Sequence, residues 1–275
     1  MIDQGDPLAR IADALEKIAP PSASDADWAA HPGYSWHHGR VREVTRLDAL
    51  SLDRLKGIDR QKQVLAENIR RHAQGFAAHD MLLWGARGMG KSALLRASVA
   101  AAAAEFPGSI ALIQIDSASL AELPDLFATI SKIPRQFVVY LDDLAFDHAD
   151  DAMLRDLRSA LEGGLAPRPA NIRLTVTSNH RAILARGDHD QAGPLNQRDW
   201  MDDSLALADR FGLRLGFHPC DQDDYLAIVA AHADAYGLSF DRADAIEWAA
   251  QRGQRSGRCA WQFVVELAGR SGKAI

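Results

Sequence analysis

The chain has 275 residues, 47% of them hydrophobic and 25% charged, with a formal net charge of −6 and two cysteines. That length builds a sizeable core in one large domain or two small ones, and the composition is that of a soluble globular protein. The acidic balance weighs against broad nonspecific nucleic-acid binding, and Cys220 and Cys259 stand too far apart for a metal-ligand spacing or a disulfide framework.

Residues 8–18, "LARIADALEKI", place Leu8, Ile11, Leu15 and Ile18 on one face of a predicted helix, and "APPSASDADWAAHPG" follows with the composition of a linker. Residues 1–48 are therefore expected to form an N-terminal helix and linker. The opening stretch lacks the basic start and continuous apolar segment of a secretory signal, and no apolar run approaches a membrane span, so a cytoplasmic location is expected. In "HPGYSWHHGR", His31, His37 and His38 cluster without an acidic or cysteine ligand at helical spacing, and the stretch reads as an exposed loop rather than a metal site.

From "LDRLKGIDRQKQVLAENIRRHAQG" onward, helical patterns alternate with short apolar strands near 80–84, 110–115, 137–142, 172–177 and 213–217. Continuous apolar and β-branched runs separated by helices indicate a parallel sheet covered on both faces. After residue 218 the pattern is helical throughout, so residues 49–218 are predicted to form an α/β core and residues 219–275 an all-α lid.

"LLWGARGMGKSALLRA" begins as a strand, breaks into a glycine-rich turn and resumes as a helix. Its spacing fits GxxxxGK[ST], in which glycines let backbone N–H groups wrap an anion and the helix aims its positive end at the same charge. The loop Gly85, Ala86, Arg87, Gly88, Met89, Gly90 and the helix start Lys91, Ser92, Ala93 are the predicted phosphate cradle. Within it Lys91 reaches the β- and γ-phosphates and the Ser92 hydroxyl ligates Mg²⁺.

"FVVYLDDL" fits a Walker B strand, with Asp142 opposite Ser92 in the Mg²⁺ site and Asp143 where many ATPases place a glutamate that orients water. Aspartate is one methylene shorter, which predicts slow hydrolysis or help from another carboxylate such as Glu162. "LTVTSNH" puts Asn179 just past the next strand, a place from which an amide holds the γ-phosphate or its water. In "LADRFGLRLGF", Arg210 precedes the fifth strand, and ring-forming ATPases present an arginine finger to a neighbouring subunit from that position. "QRGQRSGRCAWQF" offers Arg258, with Arg255 second, as a lid arginine that folds back on the nucleotide.

In that order these segments resemble the AAA+ superfamily. The likeness is closer to a bacterial AAA+-type ATP-binding family of unknown function, through "LKGIDRQK", "LLWGARGMGKS", "LDDLAFD", "LEGGLAPRPAN", "VTSNHR", "ADRFGLRLGF" and "RSGRCAWQF", over about residues 40–270. The resemblance implies an αβα sandwich whose five-stranded sheet has the order 5-1-4-3-2, plus the lid, with adenine between the lid and the segment around Gly57 and Ile58. It further implies ATP with Mg²⁺ and a tendency to form homo-oligomers, and it names no macromolecular partner. Asp143 departs from the usual glutamate. The leading expectation is an ATPase whose assembly remodels or loads a protein or nucleic acid. A nucleotide-gated switch with little hydrolysis comes next, and a small-substrate P-loop kinase last.

Overall fold

The computed structural model describes residues 26–144, 151–162, 168–179 and 206–275. The five predicted strands form as β3 (Met81–Gly85), β4 (Ile110–Ile115), β5 (Gln136–Leu141), β6 (Ile172–Ser178) and β7 (Leu213–Phe217). They pair parallel in the spatial order β4-β5-β6-β3-β7. Numbered along the chain from the P-loop strand, and read from β7, that is the expected 5-1-4-3-2.

Two further strands lengthen the sheet. Residues 33–44, expected as loop and linker, instead form a hairpin of β1 (Gly33–His37) and β2 (Arg40–Val44), whose first strand runs parallel to β4. The described residues thus build a seven-stranded sheet, β2-β1-β4-β5-β6-β3-β7. His38 and Gly39 both take positive φ (48° and 71°), the backbone of a two-residue turn that matches strand twist. The hairpin is fastened from a distance. Arg135 donates to the carbonyls of Trp28, Ala29 and His31 (3.0, 3.0 and 2.8 Å), and the Trp36 indole N–H donates to Glu122 at 2.7 Å. His37 and His38 pair with Asp116 and Glu122, and among the described residues no group of three or more histidine, cysteine or acidic side chains is placed to hold a metal.

Side chains alternate across the pleat and so feed two cores. Met81, Leu83, Leu112, Val138, Tyr140 and Phe217 face one side, and Leu82, Ile113, Phe137, Val139, Leu174 and Val176 the other. The first side is covered by α1 (Asp59–Ala73), which buries Leu65, Asn68, Ile69, His72 and Ala73 at helical spacing, and by α2 (Lys91–Glu105), buried on most of its circumference. The second side takes α3 (Leu123–Ile130), α4 (Asp151–Glu162) and the hairpin aromatics Trp28, Tyr34 and Trp36. Three helices follow β7: α5 (Gln222–Ala235), α6 (Arg242–Gln251) and α7 (Gly257–Arg270), which begin on the side-chain N-caps Asp221, Asp241 and Ser256. Among the described residues no helix is long and apolar enough to cross a membrane. The predicted helix at 8–18 lies outside the described residues.

Candidate functional site

A cavity of about 540 Å³ opens between the carboxyl ends of β3, β5 and β6, the start of α2, the strap before α1, and helices α5 and α7. It sits beyond the carboxyl ends of parallel strands, where open α/β sheets gather ligands. The turn after β3 is tied down first. Ala86 N donates to Phe217 O at 2.9 Å, and Gly85 (φ 122°) packs so closely on the Phe217 backbone that a side chain there would collide with it. Gly88 (φ 73°) lies against the lid, whose Arg258 N donates to Gly88 O at 3.2 Å.

At one end of the cavity four of the expected catalytic side chains, Lys91, Asp142, Asp143 and Asn179, meet. Lys91 Nζ donates to the carbonyls of Gly85 (2.8 Å) and Ala86 (2.9 Å) and to Asn179 Oδ1 (2.9 Å). Burial lowers the lysine pKa, while the carboxylates of Asp143 and Asp142 act in the opposite sense. Ser92 Oγ donates to Asp142 Oδ1 at 2.8 Å, and the Asn179 amide donates to Asp143 Oδ1. Groups from β3, α2, β5 and β6 are therefore in one hydrogen-bonded set.

Thr177, which carries no sequence signal, joins the two acids. Its hydroxyl donates to Asp142 Oδ1 and accepts from Asp143 N, both at 2.8 Å, while its carbonyl accepts from Leu144 N at 2.8 Å. These bonds hold Asp143 in a left-handed turn (φ 55°) that a bulkier branched residue would resist. Burial alone would raise the Asp142 pKa, but the hydroxyls of Tyr140, Thr177 and Ser92 outweigh it, and the carboxyl titrates below its usual range. Tyr140 is buried beside this acid, and its hydroxyl has no partner of hydrogen-bond geometry.

The opposite end is made by the strap and the lid. Arg54, Ile58, Ile228, His232, Tyr236 and Trp261 line it. Of the two strap residues expected at the base, Ile58 lines the cavity, whereas Gly57 is absent from the lining and packs against Asp224 at the start of α5. Arg258 lines this cavity, and Arg255 lines a second one of about 550 Å³ beside Cys220, on the other side of the loop. Arg87 is 73% exposed and 4.0 Å from Asp143.

Arg210 is not part of either lining. Its guanidinium pairs with Glu162 at the end of α4 and donates to Ala206 O at 2.8 Å. Glu162, expected as a possible aid to hydrolysis, is therefore engaged away from the cavity. Asp209 pairs with Arg214.

Residues 29–271 match the model of a family described as "Protein of unknown function (DUF815)". No curated protein matches the chain. Among solved structures, the Holliday junction branch migration motor RuvB of Thermotoga maritima is similar at 20% identity and TM-score 0.54, over 82% of this chain and 68% of that one. The Aeropyrum pernix ORC1 protein, solved in complex with DNA, is similar at 17% identity and TM-score 0.55 over 79% of this chain and 61% of the other. Domain III of the Thermotoga maritima replication initiation protein DnaA is similar at 12% and 0.53, over 82% and 91%. The fold is that of AAA+ P-loop proteins, as the sequence motifs imply.

Proposed function

We propose that this chain, which belongs to the DUF815 family, binds Mg-ATP in the cavity lined by Lys91 and Asp142 and couples its hydrolysis to self-assembly and to remodelling or loading of a macromolecular partner. The observation that carries the reading is the hydrogen-bonded set Lys91–Asn179–Asp143 and Ser92–Asp142–Thr177 at one end of that cavity. A glycine turn with a lysine and a helix start suits phosphate oxygens, and the hydroxyl and carboxylate of Ser92 and Asp142 are hard oxygen donors of the kind Mg²⁺ takes. When bound, that ion supplies positive charge at the β- and γ-phosphate oxygens.

In this reading Lys91 exchanges its carbonyl partners for phosphate oxygens. Asn179, already in contact with both Lys91 and Asp143, holds the γ-phosphate or the attacking water, and Asp143 orients that water. Arg258 on the lid closes on the phosphates. Arg210 acts on a neighbouring copy, exchanging Glu162 for that copy's γ-phosphate on assembly. The buried, unpaired Cys220 and Cys259 suit the cytoplasm. RuvB, a branch migration motor, and ORC1, solved in complex with DNA, make nucleic acid the first partner class to try.

A nucleotide-gated switch with little turnover is the second reading. The short Asp143, held by Asn179 in a restricted backbone conformation, favours it. Hydrolysis measured against protein concentration, beside the oligomer mass with and without nucleotide, separates the two. Activity that climbs with assembly and is lost in Arg210→Ala, with ATP binding intact, supports the ATPase. Tight binding with background turnover at every concentration supports the switch, and an Arg210 variant as active as wild type when assembled rejects the finger.

A further inference from the structure

We infer that Arg54 reads the base of the nucleotide by donating to N7 of a purine, with His232 holding the guanidinium in place. This rests on the reading that the cavity takes a nucleoside triphosphate. Arg54 closes the short 3-10 turn Leu52–Arg54 in the strap, yet its partners are on the lid helix α5. One Nη lies 3.2 Å from His232 Nδ1, and the guanidinium carbon is 5.5 Å from the centre of the Tyr236 ring.

The chemistry of that pair fixes its polarity. A guanidinium has donors only, so His232 Nδ1 accepts and the imidazole proton sits on Nε2. His232 is 6% exposed, and burial, with the Arg54 charge second, lowers its pKa to about 4, which keeps it neutral. Arg54 lines the cavity, and among the described residues its guanidinium has no hydrogen bond or ion pair besides the one to His232; Nε is sealed off, so the free Nη–H groups are the donors left for a ligand. A charged Nη–H at a cavity wall with no protein acceptor strengthens its bond to a ligand acceptor once a bound base excludes water.

The surroundings select which acceptor. Ile58, Ile228 and Trp261 give this end apolar and aromatic walls fit for a flat ring, and Trp261 lies 5.3 Å from the His232 ring centre. Phosphates are served at the other end by Lys91 and the loop backbone. On the edge away from the sugar, adenine and guanine share the ring acceptor N7, and arginine pairs with purines there. Cytosine and uracil have a C–H at the corresponding ring position. The strap arginine thus rejects pyrimidines, and because it leans on α5 it also ties base binding to lid position.

The test titrates MgATP, Mg-7-deaza-ATP, MgCTP and magnesium tripolyphosphate into wild type and Arg54→Met, which keeps an apolar stem and removes the donors. Wild type is expected to bind ATP about tenfold more tightly than 7-deaza-ATP or CTP, the worth of one hydrogen bond from a charged group. Arg54→Met is expected to bind ATP and 7-deaza-ATP equally and tripolyphosphate as wild type does. His232→Gln, which retains an acceptor for Arg54, preserves most of the ATP preference, and His232→Leu lowers it. Equal affinities of wild type for ATP and 7-deaza-ATP overturn the assignment. So does an Arg54→Met loss that is the same for all four ligands, which would make Arg54 a phosphate ligand or a support of the fold. Wild type that binds neither ATP nor tripolyphosphate overturns the nucleotide reading itself, a result distinct from both.

Discussion

The two ends of the cavity are built by different means. At the end proposed for phosphates, the side chains project from adjacent parallel strands and the helix directly after the loop, and each is held by neighbours on them: Asp142 by Thr177 and Ser92, Asp143 by Asn179. At the base end, the walls come from a strap and from lid helices, joined across the gap by Arg54 and His232. The first end is placed by the hydrogen-bonded frame of the sheet, and the second exists only while the lid is seated on the strap and on Gly88. In the proposed reading, chemistry that needs fixed geometry would sit on the frame, and recognition coupled to movement on the lid.

Removing the pivot of the fixed end is the strongest way to break this contrast. Lys91→Ala is expected to lower affinity for both ATP and tripolyphosphate at least about a hundredfold, because a buried charge with three acceptors is lost where the phosphates lie. Isothermal titration checks it. Unchanged tripolyphosphate binding would mean that the phosphates lie elsewhere.

A smaller effect isolates the ion. Asp142→Asn is expected to weaken ATP binding about tenfold in the presence of Mg²⁺ and hardly at all in EDTA, since the amide keeps the shape and loses the charge. An equal loss with and without Mg²⁺ would assign Asp142 to the architecture of the strand end alone.

Thr177→Val tests whether the frame itself matters. It leaves Asp143 N without its acceptor and takes one donor from Asp142, which predicts a loss of about 1–3 kcal/mol in stability and slower turnover at nearly unchanged Lys91-dependent binding. Denaturant melts and single-turnover hydrolysis measure the two. If stability and turnover both match wild type, the bonds seen around Thr177 are incidental.

How far the sequence foretold each end follows the same division. That the loop, Asp142, Asp143 and Asn179 come together was legible because the proposed chemistry calls for particular residues at fixed offsets next to apolar runs. Thr177 was not, since a threonine inside a strand is ordinary and only strand pairing brings it between the two acids. Arg54, His232, Tyr236 and Trp261 share no motif. Their meeting depends on how α5 and α7 pack over the strap. Nor was the hairpin read from "YSWHHGRV": its turn uses His38 where Asn or Asp is the familiar signal, and its anchor, Arg135, is about a hundred residues away.

Acid sharpens the comparison with the smallest expected effect. His232 at the base end and His72 under the sheet are both lowered to about 4, chiefly by burial. In His72 a bond from Nε2–H to Phe137 O works against that burial. A histidine lowered from about 6.5 is neutral in the folded protein while the unfolded chain takes up a proton, so its stabilising contribution is complete above pH 6.5 and declines as pH falls toward 4. For His72 the loss is at most about 3 kcal/mol by pH 4. Asp142 has the opposite origin: its lowered carboxyl stays ionised through that range, and its contribution fades only below the ordinary aspartate value near 4. On acidification the base end is therefore stressed before the phosphate end, because a protonated His232 can no longer accept from Arg54 and faces its charge. Melting curves from pH 7 to 4.5 should show a shallower acid decline in His72→Gln and, by a smaller margin, in His232→Gln than in wild type. A decline of unchanged slope in His232→Gln would show that the lid histidine does not titrate in that window, and that the two ends respond to protons alike.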